Sequence, residues 1–140
     1  MKPEKTVLLV EDDLDDCSFF QEALAGLSPD INVECLRHTG ELCNVIEGTK
    51  PFLIVLDYKL TGETGVDCLK RIKKNPICRH IPVVMWSTSN FSRNVEEAYE
   101  AGALHYLVKP WHIKVLAAEL RKLMVKFLPG ELAWSQACPC

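Results

Sequence analysis

Phe52-Leu-Ile-Val-Leu56 is a run of five apolar residues that ends abruptly on a carboxylate, Asp57. A run this short, apolar on both faces and rich in branched side chains, suits a central strand of a parallel sheet covered on both sides. Asp57 then stands at that strand's carboxyl end, and ligands of open α/β sheets bind in the crevice outside such ends. The residues alone leave a second reading open, in which Asp57 caps the loop or helix that follows.

The same pattern recurs along the chain. Val7-Leu-Leu-Val10 runs into Glu11-Asp12-Asp13, after which Leu14, Cys17, Phe20, Leu24 and Leu27 return at helical spacing. Ile31, Val33 and Cys35 alternate with polar neighbours, as in a half-exposed edge strand, and Leu42, Val45 and Ile46 mark a short helix ending near Gly48. The loop 58–65 after the third strand carries two glycines able to take up turn conformations closed to other residues. Val66, Leu69 and Ile72 line a third helix that stops at Asn75-Pro76. Residues 81–86 make a fourth strand ending on Ser87-Thr88-Ser89, and Val95, Ala98 and Tyr99 line a fourth helix. Residues 103–108 make a fifth strand that runs into Lys109-Pro110. The last helix has Ile113, Leu116, Ala117, Leu120, Leu123, Met124 and Phe127 on its inner side and stops at Pro129-Gly130. Five strands alternating with five helices predict right-handed βαβ units, hence a doubly wound parallel α/β sheet with helices on both faces.

With 140 residues, 48% of them hydrophobic, the chain reads as one domain over 1–128 followed by a tail, 129–140, with no clear period. Its net charge of −3 is not gathered into blocks, which argues against a nucleic-acid partner. No apolar run is long enough to span a membrane, and Met-Lys-Pro-Glu-Lys-Thr leads into a strand rather than a signal-peptide core, so a cytoplasmic protein is expected. Seven cysteines (17, 35, 43, 68, 78, 138 and 140) are an odd number, lie mostly inside elements and lack the spacing of a zinc site. They are expected to be free thiols behaving as small buried hydrophobes.

In a parallel sheet every carboxyl end lies on one rim, where Glu11, Asp12, Asp57, Ser87 and Lys109 would meet. Two carboxylates about 5 Å apart repel by roughly 3 kcal/mol at an effective dielectric near ~20, so three of them call for a cation. Oxygen donors at a partly hydrated site favour a hard ion such as Mg²⁺, which commonly bridges to phosphate. Asp13, Asp15 and Asp16 read instead as a solvated helix start, where negative charge suits the dipole.

Leu-Val-Glu11-Asp12-Asp13 after the first strand, Val-Leu-Asp57, Gly65, Ser87 and Tyr106-Leu-Val-Lys109-Pro110 together resemble the receiver domain of two-component response regulators, over about residues 6–127. Within that family the sequence is similar to the stand-alone regulators associated with bacterial phytochromes, through Leu-Val-Glu-Asp-Asp-x-x-Asp-Asp and Val-Val-Met-Trp-Ser-Thr-Ser. The resemblance implies the flavodoxin-like strand order 2-1-3-4-5. It makes Asp57 the phosphoacceptor, with Glu11, Asp12, Asp57 and the Lys59 backbone carbonyl holding Mg²⁺. Ser87 becomes the switch hydroxyl, Tyr106 the aromatic that turns from exposed to buried, and Lys109 the cation on the phosphoryl group. The Lys109-Pro110 peptide is implied to be cis. The implied partners are a sensor histidine kinase or phosphotransfer protein and a downstream protein, with a homodimer through the fourth helix, fifth strand and fifth helix as one output. One departure is Thr61, where the family usually has proline, which bears on loop rigidity; Tyr58, Lys59 and Trp86 flank the acceptor and bear on water access.

The function expected from this is a phosphorylatable switch with a protein-binding output, not an enzyme, since no effector domain fits after Phe127. A Mg²⁺-dependent phosphohydrolase with Asp57 as nucleophile would need a second acid near it and a covering cap. A receiver-shaped scaffold that is never phosphorylated predicts loss of Glu11, Asp12, Asp57 or Lys109, and all four are present.

Overall fold

In a computed structural model, which describes residues 5–28 and 30–127, the apolar runs become strands and the periodic stretches helices. In chain order these are β1 (Lys5–Val10), α1 (Leu14–Ala25), β2 (Ile31–Leu36), α2 (Leu42–Thr49), β3 (Leu53–Asp57), the two-residue strands β4 (Lys59–Leu60) and β5 (Glu63–Thr64), α3 (Gly65–Lys74), β6 (Val83–Ser87), α4 (Ser92–Ala101), β7 (His105–Val108) and α5 (Ile113–Phe127). A single 3₁₀ turn, Thr39–Glu41, leads into α2. The five longer strands pair in the order β2-β1-β3-β6-β7, all parallel, which is the flavodoxin-like 2-1-3-4-5 arrangement. The anticipated tail and its Cys138 and Cys140 lie outside the described residues. Among the described residues no helix is long and apolar enough to cross a membrane.

Side chains alternate across a strand, so each strand feeds two cores. Val7 and Leu9, Leu53 and Val55, Val84 and Trp86, and Leu107 face α1 and α5, where they meet Phe20, Leu24, Leu116 and Leu120. Leu8 and Val10, Ile54 and Leu56, and Val83 and Met85 face the other way, against Leu42, Ile46, Val66, Leu69, Ile72 and Ala98 of α2, α3 and α4. Two positions differ from the helical reading. Leu14, placed on the inner stripe, is exposed because Asp13 caps the helix and leaves Leu14 in its first turn at the rim. Tyr99 is also partly exposed, at 45%, while its hydroxyl accepts the Tyr106 backbone N–H at 3.1 Å.

The cysteine expectation is corrected as well: Cys17 and Cys35 are joined by a disulfide, their Cα atoms 6.4 Å apart. Parallel pairing sets Cys35 beside Leu9, and the first turns of α1 fold back over that face, so residues 18 apart in sequence become neighbours. Cys43, Cys68 and Cys78 are free, and burial pushes the Cys68 thiol up to about 12, so it stays protonated and unreactive. The peptide before Pro110 is trans, since no cis bond occurs among the described residues. Trans is the isomer that even a proline amide prefers by about 0.5–1 kcal/mol, and the Lys109 N–H holds the chain in the sheet by donating to Ser87 O at 2.7 Å.

The loop after β3 is more ordered than its composition suggests. It closes as the β4–β5 hairpin, in which Gly62 takes φ +86°. Glu63 at its end accepts from the Thr39 hydroxyl and from both terminal nitrogens of the Arg71 guanidinium. That guanidinium holds the Glu63 carboxyl down to about 2, so the tie persists through the ordinary pH range.

Candidate functional site

Glu11, Asp57 and Lys109 follow Leu9, Val55 and Leu107 by two residues, so all three continue the face that packs against α1 and α5. The strand register finishes the arrangement. Val10 lies beside Leu56, Asp57 beside Trp86 and Trp86 beside Leu107, and all these strands end at one rim. There they open into a cleft of about 490 Å³ lined by Glu11, Asp12, Asp16, Asp57, Ser87 and Lys109, among others. Sequence-predicted residues from four strands therefore do meet.

Ligand oxygens of Glu11, Asp12 and Asp57 all lie within 4.8 Å of one another. Glu11 and Asp57 are buried, and the Lys109 Nζ donates to Glu11 Oε1 at 2.8 Å and lies 3.4 Å from Asp57 Oδ1. Burial, with the Asp57 carboxylate alongside, pushes the Glu11 carboxyl up to about 8. Burial by itself would lower the Lys109 ammonium. The hydrogen bonds it gives to Asp16 and Glu11, with Asp57 nearby, outweigh that and hold it above the usual lysine range. Three converging carboxylates, with one driven towards its neutral form, fit a hard divalent cation, because the donors are all oxygen and a bound positive charge would oppose the upward shift that burial causes.

A pH dependence follows from Glu11. A protonated carboxyl cannot ligate, so protons compete with the metal below about 8 and cease to compete above it. The affinity for Mg²⁺ or Mn²⁺ is expected to rise with pH up to that point, by at most about tenfold per unit, and then level off. Calorimetric titration across the range reads this directly, and a flat profile would remove Glu11 from the ligand set.

The remaining predicted residues lie around this centre. The Ser87 hydroxyl is buried at the end of β6 and accepts the Ser89 N–H at 3.1 Å. Lys59 lines the cleft, its N–H 3.4 Å from Asp57 Oδ1. Tyr106 differs from expectation. Rather than standing exposed it is already turned in, 8% exposed, with its hydroxyl donating to Ser89 O at 2.8 Å. The Ser89 carbonyl gives the phenol an acceptor in the interior, which removes the reason for it to stay outside.

Three residues do more than the sequence indicated. Asp16, read as part of a solvated helix start, accepts from Lys109 Nζ at 2.8 Å. The signal was there, since Asp16 lies one turn before the buried Phe20 and so borders the inward face of α1. Thr61, in the place of a proline, uses both groups a proline would lack: its N–H and hydroxyl donate to Asp12 Oδ2 at 3.1 and 2.6 Å. The loop is thus tied to the acidic cluster by bonds instead of by a ring. Trp86, fully buried, lies under Lys109, whose Nζ is 4.7 Å from the ring centroid.

The family model for the response regulator receiver domain matches residues 7–121. The chain is 30% identical over 129 residues to the phosphate regulon transcriptional regulatory protein PhoB of Pseudomonas aeruginosa, in a match covering 91% of this chain and 55% of that one. The chain thus spans about half of that relative's length. It is 31% identical to the two-component response regulator ARR5 of Arabidopsis thaliana (89% of this chain, 71% of that one) and 35% identical to the response regulator Rcp1 of Synechocystis sp. (81% and 82%). Among solved structures, the phosphorylated cyanobacterial phytochrome response regulator RcpA superposes with a TM-score of 0.79 at 27% identity, covering 94% of this chain and 98% of that one. The Mn²⁺-bound form of Rcp1 superposes with a TM-score of 0.75 at 29% identity, covering 92% and 99%.

Proposed function

Because this chain belongs to the response regulator receiver family, we propose that it is a phosphorylatable switch, with the receiver over residues 1–128, that takes a phosphoryl group from a phosphohistidine onto Asp57. The observation that carries the reading is the meeting of Glu11, Asp12, Asp57 and Lys109 in one cleft, with the acceptor carboxylate buried at its floor. The donor is a sensor histidine kinase or a phosphotransfer protein, and the cell compartment is the cytoplasm, where ATP-fed phosphohistidines form.

In the reaction an Asp57 oxygen attacks phosphorus while the bond from phosphorus to the donor imidazole breaks and the electron pair returns to the ring nitrogen. A hard divalent ion, Mg²⁺ by its preference for oxygen donors, supplies positive charge at the phosphoryl oxygens when Glu11, Asp12, Asp57 and the Lys59 carbonyl hold it. Lys109 supplies the second cation by exchanging part of its hold on Asp16 and Glu11 for a phosphoryl oxygen. The Ser87 hydroxyl then donates to another of these oxygens and draws the 87–89 segment inward. Since Tyr106 is already tied to the Ser89 carbonyl, that movement reaches Tyr106 and α4 without the ring first having to turn in.

The output surface lies at the sheet edge made by β7 and its flanks, where Leu104, Val108, Trp111 and Val115 are exposed apolar residues. A downstream protein or a second copy of the chain binds there.

The test is intact-mass analysis after incubation with acetyl phosphate and Mg²⁺. One phosphoryl adduct is expected, localised to Asp57 and abolished by a chelator. An adduct elsewhere, or none, overturns the reading. Sedimentation with and without beryllofluoride reads the output face, and an unchanged profile at all concentrations would exclude self-association as the output.

A further inference from the structure

We propose that Trp86 is a positioning residue for phosphoryl transfer, its indole face holding the Lys109 ammonium beside Asp57. This rests on the reading of Asp57 as phosphoacceptor and adds a residue to it.

The Lys109 Nζ lies 4.7 Å from the Trp86 ring centroid, and its side chain is only 10% exposed. A cation over an indole is favoured most when, as here, little water competes for it. The register places the ring within reach of the ammonium. Trp86 sits between Asp57 on one neighbouring strand and Leu107 on the other, and Lys109 is two residues beyond Leu107, so acceptor, ring and ammonium share one face of the sheet. Phe20 of α1 meets the indole edge-on, ring centroids 5.2 Å apart at 78°, and fixes its plane.

Core filling is the competing explanation, and the indole nitrogen argues against it. Trp86 Nε1 is buried with no hydrogen-bond acceptor, a penalty that phenylalanine would not carry. What tryptophan offers beyond phenylalanine at this place is the stronger π face under a cation. Lys109 also needs such a constraint. Three carboxylates compete for it, at 2.8 Å (Glu11), 2.8 Å (Asp16) and 3.4 Å (Asp57), and Asp16 is 35% exposed, so it could draw the flexible side chain outward. The ring beneath confines the ammonium to the inner end of that set.

The variants Trp86→Leu and Trp86→Phe, each also made in a Lys109→Met background, test this. Mn²⁺ affinity by calorimetry reads chiefly the carboxylates that would ligate it, whereas beryllofluoride affinity and the rate of acyl phosphate formation from acetyl phosphate depend directly on the ammonium as well. Trp86→Leu is expected to lower the latter two by about tenfold and leave Mn²⁺ affinity within about twofold, while Trp86→Phe loses only about two- to threefold. Neither change should add to the loss from Lys109→Met. Parallel loss of Mn²⁺ affinity, an undiminished penalty in the Lys109→Met background, or no penalty at all overturns the proposal. If Trp86→Leu does not fold, the vanishing of the Trp86→Phe penalty in the Lys109→Met background decides it. Wild-type protein that takes up beryllofluoride without these effects refutes the role of Trp86 alone. Wild-type protein that takes up none refutes the phosphoacceptor reading and this proposal with it.

Discussion

Asp57→Asn is expected to leave no detectable acyl phosphate under conditions that modify the wild type completely, and to do so without loss of fold. The amide keeps the shape of the side chain but offers no anionic oxygen to attack phosphorus, so the effect on phosphorylation is total rather than graded. The effect on stability runs the other way. In the metal-free protein Asp57 is one of the groups that drives Glu11 up to about 8, and two carboxylates at about 5 Å repel by roughly 3 kcal/mol at an effective dielectric near ~20, an upper limit because Lys109 offsets part of it. Above about pH 8, where Glu11 is ionised as well, removing one charge relieves that repulsion. At that pH the asparagine variant should therefore melt no lower than the wild type without divalent ions, and should gain less from Mn²⁺, having lost one of three carboxylate ligands. An adduct of the same mass on the variant would refute Asp57 as acceptor. A large drop in its melting temperature would refute the electrostatic account while leaving the acceptor in place.

How much of this was legible beforehand depends on whether a contact follows from period or from direction. The alternation of short apolar runs with helical spacing was enough for the parallel sheet, because a strand buried on both faces has no other economical sequence. The rim residues Glu11, Asp57, Ser87 and Lys109 followed, since each comes at the end of such a run. What the period does not carry is where a long side chain reaches. Lys109 could have pointed to solvent, and that it turns back to bond Asp16 over the ring of Trp86 depends on α1 lying across the strand ends. The Cys17–Cys35 disulfide has the same origin, a helix turn folded over a neighbouring strand. The β4–β5 hairpin escaped notice because two-residue strands have no period to detect. Tyr106 was expected outside because the resemblance implies an aromatic that turns in only on switching, and its acceptor, the Ser89 carbonyl, is a backbone group that no residue type reveals.

Gly65→Ala is expected to cost at least about 3 kcal/mol, or on the order of ten degrees in melting temperature, far more than an alanine at the first position of a helix ordinarily would. Gly65 opens α3 behind the Thr64 capping box, and its N–H donates to Tyr58 O at 2.6 Å, so the helix start is pressed against the exit of β3. A methyl group there would overlap the backbone carbonyl of Asp57 itself and come within 2.6 Å of the Met85 terminal methyl. Met85 is fully buried and the carbonyl is the backbone of Asp57, so relief requires shifting Asp57 or the start of α3 against it. Displacement by about 1 Å can cost on the order of a hundredfold in a positioned reaction, and phosphorylation should fall accordingly at temperatures where the variant is still folded. Gly62 supplies the control. It needs its positive φ of +86° but has open space around a built Cβ, so Gly62→Ala should cost only about 1–2 kcal/mol and leave Mn²⁺ affinity unchanged. Thermal melts of the two variants side by side decide the matter: equal losses would mean that close approach to Asp57 is not what the glycine at 65 provides.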